Sequence, residues 1–285
     1  MNEPLGTLFV VATPIGNIDD ISLRARKVLA DAEIVAAEDT RHSGRLLERL
    51  GIDSRLVSCH EHNEVARIPQ LLECLAAGND VALISDAGTP LVSDPGFRLL
   101  NAVVAEGFRV CPVPGCNAAI AAASISALPT DQLLFVGFLP SSSGKRQTRL
   151  HELENSPATL LIYESVHRIK PTLRDVQLVI GAERQMVAAR ELTKLHETIY
   201  RGSVAEVLEK ILADSGGDKG EFTLVIAGAD APVVDDLELD RVLKILLGFM
   251  GVRQSSEAAA SLLSIRKRDA YQRALELRKD TDSNY

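Results

Sequence analysis

Val81-Ala82-Leu83-Ile84, running directly into Ser85-Asp86-Ala87-Gly88-Thr89-Pro90 and on through Ser93-Asp94-Pro95-Gly96, is the stretch that decides the fold. Its first four residues are apolar without alternation, so a strand built from them is buried on both faces. That is the mark of a parallel sheet covered by helices on two sides. The residues that follow are too rich in glycine and proline to continue any regular element. In open α/β sheets ligands bind beyond the carboxyl ends of the strands, so the same stretch marks a core strand and a candidate site.

Reading outward, the same alternation fills the first hundred-odd residues. Short apolar runs at 8–12, 34–37, 55–58 and 110–113 read as strands, with 81–84 among them. Between them Ala25, Val28, Leu29 and Ala32, then Val65, Ile68, Leu72 and Leu75, recur at helical spacing. Helices are predicted to stop at Gly51, Gly78 and Gly107, where glycine supplies the left-handed cap. The fold class is α/β. Around Leu128-Pro129-Thr130 the rhythm breaks and restarts, with strand candidates at 134–139, 159–163, 185–189 and 222–226 and a helix at 169–180. Some of these connections are too short for parallel crossovers, so antiparallel pairing is expected in the second half. The polar stretch 228–240 reads as a linker, and three short helices follow at 241–250, 256–263 and 267–277. The expected domains are 1–128, 129–230 and a small helical module at 237–285.

Composition limits the function classes. The chain has 285 residues, 46% of them hydrophobic and 25% charged, which is globular composition. No apolar run is long enough for a membrane span, and Met1-Asn2-Glu3-Pro4 lacks the basic start of a signal peptide. The four cysteines, Cys59, Cys74, Cys111 and Cys116, form no CxxC pair and read as reduced thiols of a cytoplasmic protein. A net charge of -8 argues against nucleic acid until it is divided. Between Arg241 and Lys279 nine Lys/Arg face three acids, so that segment is about +6 and the remainder about -14. Arg266-Lys267-Arg268 sits at a helix–helix turn there, a helix-turn-helix-like layout that suits nucleic-acid phosphate.

Three loops at one sheet edge are unusual: Thr13-Pro14-Ile15-Gly16-Asn17, the 85–96 stretch, and Pro114-Gly115-Cys116-Asn117-Ala118. None is a GxGxxG dinucleotide loop or a P-loop. Glycines let backbone atoms approach a ligand and prolines fix loop shape, so together they suit a ligand held by main-chain groups. In the second half, a strand opens into Glu164-Ser165-Val166-His167-Arg168. Cys59-His60-Glu61-His62 lacks companion ligands at metal spacing, and no metal is expected. Ser141-Ser142-Ser143-Gly144-Lys145-Arg146 is a polar loop whose cations could meet phosphate.

TPIGN (13–17), SDAGTPLVSDPG (85–96), PGCNAAI (114–120), GFLP (137–140), YESVHR (163–168), ARELTK (189–194) and GEFTLVIAG (220–228), in that order, resemble the motifs of the tetrapyrrole-methylase superfamily. The resemblance runs from about Gly6 to Leu277 and is closest to the branch that methylates small-subunit ribosomal RNA. It implies two α/β domains with S-adenosylmethionine, or S-adenosyl-L-methionine in full, held in the cleft between them, and a homodimer. Carried over, Pro14, Ile15 and Gly16 line the cleft floor. Asp86, Gly88, Thr89 and Val92 hold the methionine end, Asn117 and Ala118 lie near it, and Tyr163, Leu192, Glu221 and Phe222 close the second side. Cys116 and Asn117 stand where other members often carry proline or serine.

The implied reaction is 2′-O-methylation of a cytidine ribose in the decoding region, on ribosomal RNA or a ribosomal particle. A ribose hydroxyl needs help to lose its proton, from a base or from a cation that stabilises the alkoxide. Lys194 is the first candidate, Glu164 the second, and the Glu38-Asp39-Thr40-Arg41-His42 loop supplies others. Arg41, Lys145, Arg146, Arg168, Arg266, Lys267 and Arg268 are the residues expected to meet RNA. Two alternatives stand beside this reading: a small-molecule tetrapyrrole C-methyltransferase, which needs no basic tail, and a non-catalytic RNA-binding factor.

Overall fold

The computed structural model describes residues 5–217, 219–229, 236–263 and 265–282. The reading of Met1-Asn2-Glu3-Pro4 lies outside the described residues. The chain forms two compact units, one of Met1–Glu154 with Ala158–Ala227, the other of Asn155–Pro157 with Gly228–Tyr285. Both sheets belong to the first unit. Among the described residues no helix is long and apolar enough to cross a membrane.

The first sheet contains β1 (Thr7–Val11), β2 (Ile34–Ala37), β3 (Leu56–Ser58), β4 (Val81–Ile84) and β5 (Arg109–Val113), in the order β3-β2-β4-β1-β5. Every pairing is parallel. Strands β2 and β4 are buried at every position on both faces, as their unbroken apolar runs require, while β5 at the edge is partly exposed. Ile34, Ala36, Val81 and Leu83 pack under α3 (Glu64–Ala76) and α4 (Phe97–Ala105). Val35, Ala37, Ala82 and Ile84 pack under α1 (Leu23–Asp31) and α2 (Thr40–Leu50). The predicted stops hold: Gly51 caps α2 at φ 69°, and Gly78 and Gly107 lie just past α3 and α4 at φ 82° and 77°.

The order places the site. From β1 the chain passes β4 to reach β2, and from β4 it passes β1 to reach β5. The loops leaving these two neighbours therefore diverge to opposite faces and open a crevice between them, the switch point of an open sheet. A two-residue bridge spans its base: Thr13 N donates to Gly88 O at 2.8 Å and Gly88 N to Thr13 O at 3.1 Å.

The second sheet is mixed, as the short connections predict. Its strands are β6 (Leu133–Phe138), β7 (Thr159–Ser165), β8 (Gln185–Arg190), β9 (Thr198–Ser203) and β10 (Glu221–Ile226), in the order β6-β7-β10-β8-β9. Only β6 and β7 run parallel. One face packs on α6 (Ser143–His151), α7 (Ile169–Val179) and α8 (Val204–Ala213). The other receives α5 (Ala118–Ser124), whose Ala119, Ala122 and Ala123 meet Leu161, Val187 and Val225. Alanine keeps that contact close, so the strand-end loop after β5 is seated directly on the second sheet. The boundary expected at residue 128 falls between α5 and β6.

Strand β9 and helices α5 and α8 have no counterpart in the sequence reading, and α6, the helix expected after the 141–146 loop, starts within it. Strand β9 carries Gly202 and exposes Arg201, which hides its alternation. Helix α5 is only seven residues long. Helix α8 announces itself by a capping box, Ser203 to Glu206, that was there to be read. In the second unit α9 (Asp236–Leu247), α10 (Val252–Leu263) and α11 (Lys267–Asp282) surround Leu243, Ala259, Ala270 and Ala274. Of the expected linker, residues 230–235 lie outside the described residues and 236–240 form the start of α9.

Candidate active site

The crevice at the β1/β4 switch point widens into a cavity of about 340 Å³, within the usual range of ligand sites. The first sheet contributes Ile15, Glu38, Asp86, Gly88, Thr89, Val92 and Asp94, and α5 contributes Ala118. The second sheet contributes Phe138, Tyr163, Glu164, Leu192, Lys194, Glu221 and Phe222. The structure thus brings together twelve of the fifteen residues named as catalytic or cofactor-binding. Pro14, Gly16 and Asn117 do not line the cavity.

Gly16 and Asn117 instead shape the loops. A Cβ on Gly16 would lie 2.4 Å from Lys194 Cγ and 3.0 Å from Leu192 O, so glycine lets the first loop close on the 192–194 loop. Asn17 N completes that contact by donating to Thr193 Oγ1 at 3.1 Å. The Asn117 side chain caps α5, accepting from Ile120 N at 3.1 Å. Beside it, Thr89 Oγ1 donates to Cys116 O at 3.0 Å, which ties the β4 and β5 loops.

Two loops share an unusual backbone. Leu91 and Ser93 lie at φ 70°, and Glu191 and Thr193 at φ 51° and 65°. In each case two left-handed residues flank one whose side chain faces the cavity, Val92 in the first loop and Leu192 in the second. Left-handed non-glycine residues are costly and cluster where a site dictates the backbone. A third irregularity lies opposite: the β6–β7 register shifts between Phe135 and Gly137, and Gly137 sits at φ 71°. A Cβ there would come 3.0 Å from Ser93 Oγ. The bulge brings Phe138 to the cavity, where its ring lies 5.7 Å from that of Tyr163. Tyr163 is held in turn by Ala119 N, which donates to its hydroxyl at 3.2 Å.

The charges divide by wall. On the first-sheet wall Glu38, Asp86 and Asp94 converge. Asp39 N donates to Asp86 Oδ1 at 3.1 Å, and Asp86 N reaches Glu38 Oε2 at 3.5 Å. Burial pushes the Asp94 carboxyl up to about 6, aided by Glu38 and Asp86 and opposed by a hydrogen bond with Ser85. Burial and Asp86 also raise Glu38. Burial and neighbouring carboxylates disfavour ionisation here, and no salt bridge to a cation offsets them among the described residues, so a cationic ligand would favour the charged forms. Asp94 and Glu38 were quoted in the sequence but not assigned to the cofactor, because a single acid in a loop carries no signal of convergence.

On the second-sheet wall every acid has a partner. Lys194 Nζ donates to Glu191 Oε1 at 2.8 Å and to Glu221 Oε2 at 2.9 Å. Burial works against the Lys194 charge, but the two carboxylates outweigh it and raise its pKa. Lys194 is therefore a fixed cation. The same contacts overcome burial and hold Glu191 below its ordinary value. Glu164 is fully buried and accepts from Ser165 N at 2.7 Å, Arg168 Nε at 2.8 Å and Thr172 Oγ1 at 2.6 Å. Three donors fix its side chain and so organise the strand end.

The residues expected to meet RNA fall into two groups. Lys145, Arg266, Lys267 and Arg268 are exposed, and Arg41 is exposed while paired with Asp39 at 2.8 Å. Arg146 is buried, donating to Asp175 at 2.7 Å and to the Ser141 carbonyl at 3.1 Å, and Arg168 is committed to Glu164 and Leu139 O. These last two guanidiniums are structural in this arrangement.

Comparison with known proteins agrees with this geometry. Residues 7–208 match the family model of Tetrapyrrole (Corrin/Porphyrin) Methylases, so fold and cavity define a methyltransferase of that class. Residues 233–278 match a model described as the RsmI C-terminal HTH domain. The chain is 47% identical to the ribosomal RNA small subunit methyltransferase I of Pseudomonas aeruginosa over 95% of its own length and 97% of the relative's. It is 43% identical to that of Escherichia coli O157:H7, covering 95% of each. A uroporphyrin-III-C-methyltransferase from Thermus thermophilus shares the fold at TM-score 0.54 and 23% identity, over 78% of this chain and 94% of that one. The chain belongs to the ribosomal RNA small subunit methyltransferase I family.

Proposed function

We propose that the chain transfers a methyl group from S-adenosylmethionine to the ribose 2′-oxygen of a cytidine in the decoding region of small-subunit ribosomal RNA. The observation that carries the donor is the one-sided charge of the cavity. A ligand with a sulfonium and an α-ammonium finds Glu38, Asp86 and Asp94 uncompensated on one wall. Its flat adenine finds Ile15, Ala118, Phe138, Tyr163 and Leu192 as apolar and aromatic surface. When bound, the donor supplies an electrophilic methyl carbon on a positively charged sulfur. Gly88 and the bridged Thr13 fix the backbone around it, and the left-handed loops at Val92 and Leu192 pre-set the side chains, which favours alignment over flexibility.

Lys194 serves as the cation at the acceptor side. Held protonated between two carboxylates, it stabilises charge developing on the ribose oxygen as the methyl carbon passes from sulfur to oxygen, and the hydroxyl proton leaves to water. Glu164 keeps the β7 end in place. The exposed Arg266, Lys267 and Arg268 supply phosphate contacts that give affinity and position. Arg41 and Lys145 are further exposed cations for the same task.

The RNA reading is favoured over a tetrapyrrole substrate by two things. The relatives at 43–47% identity span nearly the whole chain, whereas the tetrapyrrole enzyme shares the fold at 23%. The basic C-terminal helices also have no task in a small-molecule enzyme. A cytoplasmic homodimer is part of the proposal, since Leu133, Leu134, Phe135 and Phe138 leave edge strand β6 apolar and exposed. Mass spectrometry of small-subunit RNA from cells with and without the gene tests the reaction. Loss of a single cytidine 2′-O-methyl is expected, and an unchanged methylation pattern would refute it. Removing residues after Asp240 should weaken RNA methylation while cofactor affinity persists; equal loss of both would make the helices merely structural.

A further inference from the structure

A second cavity, of about 510 Å³, opens beside the first and shares Glu38, Ser93 and Asp94 with it. These three residues form a common sill, so a group resting in one cavity reaches into the other. The second cavity is otherwise lined by His60, Glu61 and His62 after β3, by buried Glu64, and by Pro95, Gly96, Phe97 and Arg98 at the start of α4.

Its chemistry differs from the cofactor site. Phe97 leaves 66% of its surface exposed at the first residue of a helix, a position that burial of the α4 face does not require. His60 and His62 stack edge to face with centroids 6.0 Å apart, and His60 Nδ1 is buried without a hydrogen-bond partner. Arg98 adds an exposed guanidinium. Glu64 is not available to a ligand, because it accepts from Leu99 N at 2.7 Å and so caps α4. An open aromatic ring, two imidazoles, one guanidinium and carboxylates at the inner sill are matched by one nucleoside. The base offers a face for stacking and edge acceptors for imidazole and guanidinium donors, while the ribose offers hydroxyl donors to carboxylates.

We propose that this second cavity is the subsite for the target nucleoside, with the base against Phe97 and the His60–His62 pair and the ribose reaching across the shared sill into the cofactor cavity that Lys194 lines. The assignment rests on the RNA-methyltransferase reading above and adds where the acceptor sits. With its base seated against Phe97, the target nucleotide is single-stranded or turned out of its stack when bound.

The test uses the full chain and small ribosomal subunits that lack the methyl mark. Phe97→Ala should weaken subunit binding roughly tenfold or more, the scale of one lost base stack. Affinity for S-adenosylhomocysteine, measured by calorimetry, should stay unchanged, and Phe97→Trp should restore subunit binding. With p-benzoylphenylalanine in place of Phe97, irradiation should crosslink to the target cytidine or its immediate neighbours. Crosslinks elsewhere on the subunit, or undiminished binding by Phe97→Ala, would overturn the subsite while a wild-type chain that still methylates leaves the reaction standing. A wild-type chain that methylates no subunit RNA would remove both.

Discussion

The two walls of the cofactor cavity are both acidic, yet they use their acids in opposite ways. On the parallel-sheet wall Glu38 and Asp94 are half-buried near another carboxylate, and their pKa values rise. On the mixed-sheet wall Glu191 is buried to a similar purpose but paired with Lys194, and its pKa falls. Glu164 is buried deeper still, with three donors around it. One wall therefore holds acids without a cationic partner, which the proposal gives to the ligand, and the other commits its acids to holding its own loops. The difference separates binding residues from scaffold residues that composition alone would lump together.

The scaffold side should give the largest effect on stability. Glu164→Ala leaves Arg168, Thr172 Oγ1 and Ser165 N without their acceptor in a buried strand end. A loss of about 3 kcal/mol in urea unfolding is expected, the scale of a broken buried pair. A loss under about 1 kcal/mol would mean that this wall relaxes freely and that the contrast is overstated. Lys194→Met separates scaffold from chemistry within the same wall. Turnover should fall roughly 100-fold, the scale of one removed charge-stabilising donor, with cofactor affinity changed far less. Matched losses in both would reduce Lys194 to a loop fastener.

The binding side makes a smaller and more specific prediction. Asp94→Asn should lower affinity for S-adenosylmethionine about tenfold, while affinity for S-adenosylhomocysteine, which lacks the sulfonium charge, changes less. Wild-type affinity for the charged donor should rise between about pH 5 and 7 as Asp94 ionises, and the variant should lose that rise. Stability runs the other way. A carboxyl whose folded value of about 6 exceeds the ordinary 3.8 favours folding only while protonated, so its contribution is complete below 3.8 and is lost as pH rises through 6. Asp94→Asn should thus be more stable than wild type above pH 6, with the gap closing toward pH 4. Equal loss of both ligands at every pH would place Asp94 among the scaffold residues.

How legible this was in the sequence follows the same division. Strands β2 and β4 could be placed to the residue because an unbroken apolar run has one explanation in a doubly covered sheet. Strand β9 and helix α5 could not, since their identity comes from what they pack against. The cavity lining was largely readable from the Gly/Pro loops and the family motifs. What could not be read was pairing: Lys194 and Glu164 carry the same letters whether free or locked, and Arg146 looks like a surface cation until Asp175 is seen beside it. Convergence of Glu38, Asp86 and Asp94 needed the strand order, which sets Ala37 at the end of β2 beside Ile84 at the end of β4.

The smallest expected effect lies at the rim, where pairing means little. Arg41 and Asp39 make an ion pair at 2.8 Å, as short as that of Arg168 and Glu164, but Arg41 is 86% exposed. Water competes for both partners there, so the pair adds little to stability and opens readily. Arg41→Ala should leave the unfolding midpoint nearly unchanged and affect only encounter with RNA. If Arg41 meets a phosphate, subunit binding measured across a salt series should show a slope reduced by about one counterion. The half-buried counterpart, whose carboxylate partner is buried, should do the reverse: Arg168→Ala should lower stability with little change in that slope. A salt slope that moves for Arg168 and not for Arg41 would mean that exposure, rather than ion-pair distance, is a poor guide to which arginines this protein offers to RNA.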